Sequence, residues 1–329
     1  MELSEAGAIV MRRYGAPAVL AMEQVPLLPL LPGEIRLKTL AAAVNHSDLE
    51  IRGGSWPTLK DEPFPYVPGL QVVGEVVELG PGAREFRPGQ RAITMMQGMG
   101  GVRAERAGGY AQYVSVPEAA AAPLGADLDP HAVAALGLAA VTAHEGLKRL
   151  GPIAGGRVAV SGASGGVGSA AVAIARAQGA EVVAVVSRPE RANYVRSLGA
   201  GEVLTGEDVL EGGLEPRSLD GVLDTVGGPL FGPLVDALAD GRALSLVGAV
   251  AGPAVTFDAY RLLDIVLTGY GSESLDGASL RGAIEAIGAW LRRGILRPPR
   301  FELVPLGEAA RAHEQMEAHR VEGRLLLVP

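Results

Sequence analysis

A glycine-rich stretch at residues 158–170 constrains the fold of this chain more than any other segment. It reads VAVSGASGGVGSA, in which a short β-branched run leads through glycines into a helix of small residues. In a dinucleotide-binding turn, a strand ends at a tight corner and the N–H groups and positive dipole of the next helix face phosphates. Gly165 would let the backbone approach a pyrophosphate, and Gly168 would let the helix lie close to the strand. The motif reads A-x-G-x-x-G, because Ala163 occupies its first position. The predicted cofactor-binding residues of the loop are Ala163, Ser164, Gly165, Gly166, Val167 and Gly168.

The segment after this helix indicates which dinucleotide is bound. Residues 181–186 read EVVAVV, which is typical of a strand buried on both faces of a parallel sheet. An NAD-selective site usually carries an acidic residue at the end of this strand, whereas here Ser187, Arg188 and Arg191 follow. Guanidinium groups bind a 2′-phosphate through charge-assisted hydrogen bonds. The predicted cofactor is NADP(H); the alternative is that both arginines are ordinary solvated charges at a helix start.

The same loop also contains a second motif, which belongs to another class of enzyme. Residues 162–166 satisfy G-x-S-x-G, the nucleophile elbow of serine hydrolases, with Ser164 as nucleophile. Asp224, followed by His313 or His319, would complete a triad in the required order. The extra glycine of the loop and the cofactor-like second strand argue against this interpretation. Both histidines are expected to be solvent-facing residues of a helix.

Composition excludes several further classes. Of the 329 residues, 48% are hydrophobic and 20% charged, which indicates large buried cores and argues against disorder. The net charge of −8 and the lack of a basic run predict no nucleic-acid partner. No apolar run approaches the roughly 20 residues that span a bilayer, and the chain has no cysteine for a disulfide or thiolate metal site. The N-terminal residues show no signal-peptide pattern, so a cytoplasmic protein without membrane contact is expected.

The pattern of residue types changes along the chain. Strand patterns punctuated by proline and glycine continue to about Val116, an alanine-rich helix is predicted from Pro130 to Leu147, and strands and helices then alternate. We predict an α/β fold with a β-rich domain over residues 1–122, a doubly wound parallel-sheet domain over 123–274, and a C-terminal return to the first domain over 275–329.

Further motifs accompany the glycine loop in a fixed order. They are VNHSDLEIRGG at 44–54, PGLQVVG at 68–74, GYAQYV at 109–114, AVTA at 140–143, LDTVGG at 223–228 and GRLLL at 323–327. Together they resemble the zinc-independent, quinone oxidoreductase-like branch of the medium-chain dehydrogenase/reductase superfamily, over essentially the whole chain. The resemblance implies a GroES-like β-rich catalytic domain joined to a Rossmann domain. It also implies a homodimer formed edge to edge by the nucleotide-domain sheets, with the strand near residues 265–269 as the candidate edge.

The residues themselves bear on the question of zinc. Zinc alcohol dehydrogenases of this superfamily carry a cysteine at the position of Asn45 and Gly-His-Glu at the positions of Gly69, Leu70 and Gln71. Leucine has no lone pair, and neutral amides are poor zinc ligands beside thiolate and imidazole. We therefore predict no metal site. The chemistry that remains is hydride delivery to an acceptor that is already electrophilic, an apolar quinone or an α,β-unsaturated carbonyl compound.

The resemblance implies roles for residues outside the loop. It places Asn45 beside the nicotinamide and substrate, with His46 and Ser47 as candidate proton donor and relay. The resemblance also places five residues near the cofactor, namely Thr142, Gly248, Ala249, Tyr270 and Arg324.

Each of these residues also has a structural interpretation. Asn45 and Asp48 could cap a turn, with Asp48 pairing Arg52. Thr142 could bond its own helix backbone, and Tyr270 could be a core or dimer contact. The choice stays open at the level of the sequence.

Two alternative functions also stay open. Related enoyl-thioester reductases use a tyrosine proton donor where this chain has Ser55, Trp56 and Pro57, and tryptophan has no ionisable proton for that transfer. An enoyl-thioester reductase is therefore weakened as an interpretation but not excluded. A non-catalytic NADPH-binding protein on the same scaffold is the other alternative, because fold alone does not determine function.

Overall fold

The structure is a computed structural model that describes residues 4–56, 63–95, 106–318, 320–321 and 323–329. The strands are β1 (Glu5–Val10), β2 (Ala21–Pro26), β3 (Glu34–Ala43), β4 (Gln71–Leu79), β5 (Arg91–Met95), β6 (Tyr113–Pro117), β7 (Ala121–Pro123), β8 (Arg157–Val160), β9 (Glu181–Val186), β10 (Glu202–Thr205), β11 (Leu219–Asp224), β12 (Leu238–Leu246), β13 (Val266–Gly269), β14 (Phe301–Pro305) and β15 (Arg324–Val328). The α-helices are α1 (His46–Gly53), α2 (Pro130–Lys148), α3 (Gly166–Ala177), α4 (Ala192–Ser197), α5 (Gly206–Leu210), α6 (Phe231–Ala237), α7 (Gly277–Arg292) and α8 (Ala309–Glu317). No helix among these described residues is both long and apolar enough to cross a membrane.

The chain forms two compact units. The first comprises Met1–Leu138, Glu273–Arg292 and Arg297–Pro329, and the second comprises Ala139–Ser272 and Arg293–Leu296. The junction at Ser272 lies close to the predicted limit at residue 274, whereas the earlier junction lies inside α2 rather than at residue 122. The predicted domain limits stay predictions, since the kinked helix α2 carries the chain from one unit into the next.

The first unit is built on antiparallel strands. Its seven-stranded sheet has the order β14-β15-β3-β4-β5-β7, with β6 also paired to β3. The C-terminal strand β15 lies antiparallel to β3, with Leu326 opposite Ala43, and parallel to β14. This pairing brings the first residue of β15 next to the last residues of β3. The predicted GroES-like, β-rich architecture is the one observed.

The second unit is a doubly wound sheet. Its six strands are all parallel in the order β10-β9-β8-β11-β12-β13. Numbered within the unit, this is the order 3-2-1-4-5-6 of a Rossmann fold. Apolar side chains from β9, β11, β12 and α6 form its buried core. The strand order reverses between β8 and β11, and ligands of such sheets bind at the carboxyl ends of the strands at that reversal.

Helix α2 breaks at Gly137, where φ is 29° and ψ is −125°. In an unbroken helix the Leu138 N–H would donate to the Ala134 carbonyl, four residues earlier. Instead, Leu138 N–H donates to Oε1 of Gln71 at 2.9 Å, and Nε2 of Gln71 donates to the Ala134 carbonyl at 2.7 Å. The inserted amide satisfies both freed backbone groups, which accounts for the kink.

Candidate functional site

The predicted phosphate-binding loop lies between β8 and α3. Gly162 turns the chain with φ of 58°, and α3 begins at Gly166 after Gly165 as its N-cap. A Cβ atom at Gly168 would collide with the Gly162 carbonyl, so only glycine allows this approach of helix to loop. Ala163, at the first motif position, is fully buried and its N–H donates to the Val185 carbonyl at 3.0 Å. The tight turn is therefore made one residue before the motif begins.

The free end of α3 fits a dinucleotide. Gly165 and Gly166 are exposed, while Ser164 and Val167 are half-buried. The first N–H groups of a helix have no partner inside the helix and carry its positive dipole. Together they provide a cradle for a pyrophosphate, which is the group that the sequence predicted here.

A buried aspartate joins the loop to the neighbouring strand. Asp224, the last residue of β11, accepts a hydrogen bond from Ser161 Oγ at 2.5 Å and from the N–H groups of Val226 and Gly227 at 2.9 and 3.1 Å. Thr225 N–H donates to Ser161 Oγ at 2.8 Å. Asp224 thus holds together the two strand ends at which the sheet order reverses. Its buried carboxylate is bonded to Ser161 and to two backbone N–H groups, and this role in holding the loop argues against its use in the alternative hydrolase triad.

The arginines after β9 stand where the sequence predicted a phosphate-binding group. Ser187, Arg188 and Arg191 are all exposed and directly follow the second strand of the unit. Neither arginine forms an ion pair with another residue that the structure describes. Two exposed guanidinium groups at this strand end fit a 2′-phosphate in charge and position.

Other predicted cofactor residues lie at the same carboxyl edge of the sheet. Gly248 and Ala249 follow β12, and a Cβ at Gly248 would lie 2.9 Å from the Thr225 carbonyl. Tyr270 follows β13, its N–H donates to the Leu246 carbonyl at 2.9 Å, and the guanidinium of Arg149 lies 4.7 Å from its ring centre. Tyr270 is buried, as the core interpretation predicted, and it also borders this edge.

Thr142 differs from these residues because it lies on a helix. Its side chain is buried within the part of α2 that belongs to the second unit.

The first unit carries the predicted catalytic residues at the start of α1. Asn45 is the N-cap residue and is buried, whereas the His46 side chain is 70% exposed and Ser47 is half-buried. Oδ1 of Asn45 accepts a hydrogen bond from Nη2 of Arg324 at 2.5 Å, and its Nδ2 donates to the Ala43 carbonyl at 3.3 Å. Asn45 and Arg324 therefore contact each other directly, a pairing that the sequence did not indicate.

Asp48 is a buried acid that the sequence treated only as a cap. Its carboxylate accepts hydrogen bonds from the N–H groups of Asn45 and Leu70 at 2.8 and 3.0 Å. Burial raises the pKa of Asp48 to about 7, against the opposing effects of these hydrogen bonds and of the Arg324 charge. The alternative pairing of Asp48 with Arg52 is wrong: Arg52 donates to the Gly15 carbonyl and forms an ion pair with Glu317.

The expectation that His313 faces solvent is also wrong. His313 is fully buried, with Nε2 3.1 Å from the Tyr110 hydroxyl and Nδ1 3.4 Å from Nη1 of Arg52. Burial, together with the Arg52 charge, lowers the pKa of His313 to about 3. Ala309 and Ala312 precede it on the same buried face of α8, and this spacing was the signal that could have revealed it. His319 lies outside the described residues, as does Pro57.

The residues at the superfamily's zinc position have other partners. Both polar atoms of the Gln71 side chain are used within the kink of α2. The described part of the chain holds no group of three or more His, Asp or Glu side chains arranged for a metal ion. Zinc independence remains a prediction that rests on the chemistry of Asn45, Leu70 and Gln71.

Comparison with known proteins places this geometry in a family. Residues 31–126 match the family described as "Alcohol dehydrogenase GroES-like domain", and residues 166–288 match "Zinc-binding dehydrogenase". The chain is 28% identical to an NADPH-dependent alkenal/one oxidoreductase of Arabidopsis thaliana chloroplasts, over 99% of this chain and 80% of the relative. It is 33% identical to the acrylyl-CoA reductase AcuI of Ruegeria pomeroyi, over 70% of each protein.

Solved structures show the same relationship. A mycobacterial quinone oxidoreductase is 28% identical with a TM-score of 0.85, over 98% of this chain and 100% of that one. A mycobacterial protein solved in complex with NADPH is 27% identical with a TM-score of 0.81, over the same shares of the two chains.

Fold, loop and strand order define a two-unit oxidoreductase scaffold with a dinucleotide-binding Rossmann sheet. The chain belongs to the medium-chain dehydrogenase/reductase superfamily, in its quinone oxidoreductase-like branch.

Proposed function

We propose that this protein is an NADPH-dependent reductase that transfers hydride to a quinone or an α,β-unsaturated carbonyl compound. The observation that carries the proposal is the pair of exposed guanidinium groups, Arg188 and Arg191, at the end of β9 beside the glycine loop. A nucleotide with a 2′-phosphate would place its pyrophosphate at the glycine loop and its 2′-phosphate beside the two guanidinium groups. Relatives whose names specify NADPH and alkenal or quinone acceptors support the same cofactor and acceptor class.

The residues of the second unit would hold the cofactor. The loop from Ala163 to Gly168 binds the pyrophosphate, and Ser187 and the two arginines bind the adenosine end. Thr142, the Gly248–Ala249 turn and Tyr270 serve the nicotinamide end. When bound, the reduced nicotinamide supplies the hydride, and the protein contributes orientation and exclusion of water.

The first unit would hold the acceptor near the start of α1. The buried amide of Asn45 and the exposed side chain of His46 are the polar groups there. Acceptors of this class are reactive without a metal ion, which agrees with the prediction of zinc independence.

A thioester acceptor is the second candidate. The 33% identity to an acrylyl-CoA reductase favours an enoyl thioester as one member of the enone class. Parallel assays with a quinone, a simple enone and crotonyl-CoA rank the three. Turnover of crotonyl-CoA alone would overturn the broader quinone and enone assignment.

A titration with substitutions tests the cofactor. We expect Arg188→Ala to weaken NADPH binding about tenfold or more while NADH binding stays unchanged, because a charge-assisted hydrogen bond contributes about 1.5–3 kcal/mol. Fluorescence titration of both nucleotides provides the measurement. Arg196→Ala, which removes another exposed arginine of the same unit, is the matched control. Equal loss of NADPH and NADH affinity, or no loss of either, would contradict the assignment.

A further inference from the structure

A cavity of about 280 Å³ lies in the first unit, beside the start of β15. Its lining comes from the start of β14, from the end of α8 with the residues that follow it, and from the start of β15. All of these segments belong to the first unit, so the cavity is lined by that unit alone. The polar residues of the lining are Arg300, Glu302, Gln315, Arg320 and Arg324.

Backbone contacts bring the three arginines of this lining together. Strands β14 and β15 are parallel, and the Arg324 N–H donates to the Arg300 carbonyl at 2.9 Å. Gly323 has φ of 109°, and a Cβ atom there would collide with the same carbonyl, so glycine allows this approach of the two chain segments. After α8, the Arg320 N–H donates to the Gln315 carbonyl at 3.0 Å, which closes the turn that carries Arg320.

The positive charges around the cavity are not balanced by the protein. Arg300 and Arg320 are exposed, and neither forms an ion pair with another residue that the structure describes. Glu302 is the acid of the lining, and its carboxylate lies 3.8 Å from the guanidinium of Arg311, outside the lining. Like charges around one cavity repel each other, so the guanidinium groups favour an anion between them.

The buried part of Arg324 gives a second observation. Its Nε is buried and has no hydrogen-bond partner within the described part of the chain, although its Nη2 donates to Oδ1 of Asn45. A guanidinium group can only donate hydrogen bonds, and a buried donor without an acceptor loses its hydration without compensation. An anionic oxygen against this guanidinium would offset that loss.

The size and the charges of the cavity indicate the class of ligand. A volume of about 280 Å³ suits a small molecule, because ligand sites run upward from about 300 Å³. A planar guanidinium matches a carboxylate through two parallel hydrogen bonds. The Glu302 carboxylate in the same lining disfavours a doubly charged phosphate and favours a ligand with a single negative charge. The chain carries a net charge of −8, but salt screens charges beyond about 10 Å, so the local arginines determine what binds here.

We propose that this cavity binds a carboxylate group of the acceptor, which is then an α,β-unsaturated carbonyl compound with a single negative charge. Arg300, Arg320 and Arg324 bind the anionic oxygens, and the Gln315 amide can donate to them as well. Because Arg324 also contacts Asn45, the cavity lies next to the start of α1, where the proposed function holds the acceptor. This inference rests on the proposed function and names the class of its substrate.

Binding of a saturated analogue tests the cavity directly. Levulinate (4-oxopentanoate) carries a ketone and a carboxylate but no C=C bond, and methyl levulinate is its neutral counterpart. Isothermal titration calorimetry measures both compounds and inorganic phosphate against wild type, Arg300→Met, Arg320→Met and the double variant. Arg297→Met is the matched control, since Arg297 is an exposed arginine of the same unit that does not line the cavity.

We expect levulinate to bind wild type and Arg297→Met equally. Its affinity should fall about tenfold in Arg300→Met and in Arg320→Met, because each change removes a charge-assisted hydrogen bond. Arg320→Lys should recover part of the loss, and high salt should weaken the binding of levulinate to wild type. Methyl levulinate and phosphate should each bind wild type at least about tenfold more weakly than levulinate.

A turnover experiment connects the cavity to the reaction. trans-4-Oxopent-2-enoate and its methyl ester have the same reducible C=C bond, and the ester is the more electrophilic of the two. A higher kcat/KM for the carboxylate therefore reports binding of the carboxylate group. We expect wild type and Arg297→Met to prefer the carboxylate about tenfold, and the double variant to prefer the ester.

Three results would overturn the inference. They are undetectable binding of levulinate, equal binding of levulinate and its ester, and levulinate binding that the arginine variants do not weaken. Tighter binding of phosphate than of levulinate, lost in the same variants, would assign the cavity to a phosphate-bearing ligand and also overturn it. Arginine-dependent binding of levulinate without turnover of either oxopentenoate or of a neutral enone would instead overturn the proposed function.

Discussion

At the level of single residues, Asp48 and His313 show how burial selects protonation states. Both are fully buried in the first unit, and both are driven toward their neutral forms. Burial disfavours the charged form, so the acid's pKa rises and the histidine's pKa falls. The two groups therefore affect stability in opposite directions as the pH changes.

For His313 we predict that acid weakens the fold. Its pKa is about 3 in the folded chain against 6.5 in the unfolded chain, so the unfolded state gains a proton first as pH falls below 6.5. Stability contributed by neutral His313 is lost as pH decreases through that window, by up to about 1.4 kcal/mol per pH unit. Urea unfolding of wild type and His313→Gln at pH 7.5, 6.0 and 5.0 measures the difference. An identical pH slope in the two proteins would exclude this role for His313.

For Asp48 we predict that the free energy of unfolding falls as the pH rises, which is opposite to the effect of His313. Its pKa is about 7 in the folded chain against 3.8 unfolded, so ionisation costs stability as pH rises from about 4 to 7. Asp48→Asn should remove this pH dependence of the free energy of unfolding. The variant should also be less stable at every pH by about 1–3 kcal/mol, since an amide N–H would face a backbone N–H donor. Unfolding free energies at pH 5 and pH 8 test both statements, and a slope retained in the variant would assign the titration to another group.

At the level of elements, α2 depends on a side chain from β4. The broken hydrogen bond between Ala134 and Leu138 is replaced by two bonds to Gln71, and Gly137 has no room for a Cβ beside that amide. Periodicity predicts the helix well, from Pro130 to Leu147 against an observed end at Lys148. Periodicity carries no information about the side chain inserted into it.

We predict a graded loss of stability on replacing Gln71. Gln71→Met leaves a buried N–H and a buried carbonyl without partners, which costs about 1–3 kcal/mol for each group. Gln71→Glu still accepts from Leu138 N–H and, kept protonated by burial, can donate its O–H to the Ala134 carbonyl, so its loss should be smaller. Urea unfolding should give the highest free energy of unfolding for wild type, a lower one for Gln71→Glu and the lowest for Gln71→Met. If Gln71→Met lowers the free energy of unfolding by less than about 0.5 kcal/mol, Leu138 N–H must donate directly to the Ala134 carbonyl in that variant.

At the level of the whole molecule, the second unit presents an open sheet edge. Strand β13 pairs with β12 on one side only, and apolar residues beside and on it, Leu262, Leu263 and Val266, are exposed. Exposed edges with apolar side chains are natural sites for strand pairing with another chain. This surface supports the predicted edge-to-edge homodimer, which we propose.

Charge placed on this edge should prevent association. We expect wild type to sediment as a dimer and the combined variant Leu263→Asp, Val266→Lys as a monomer, because buried unpaired charges are costly at an interface. Leu210→Asp places a charge on an exposed leucine of α5 and should leave the dimer intact. Analytical ultracentrifugation measures all three, and a dimer retained in the edge variant would exclude β13 as the interface.

Local sequence patterns predicted the elements and the turn between β8 and α3. The predicted strands at residues 181–186 and 324–328 match β9 and β15, because strand character follows from short runs of β-branched and leucine residues. The need for glycine at position 168 was also predicted, because a Cβ atom there would collide with the backbone of the loop.

Long-range pairing decided the rest of the site. The sequence by itself determined the class of fold, the order of the strands along the chain and the chemistry available at each motif. Only the tertiary structure decided that Arg324 donates a hydrogen bond to Asn45, that His313 is buried against Tyr110, and that Gln71 enters α2. The physical reason is that a buried polar group takes whichever partner the sheet register brings within about 3 Å. These contacts join residues 63, 203 and 279 positions apart, which no local pattern specifies.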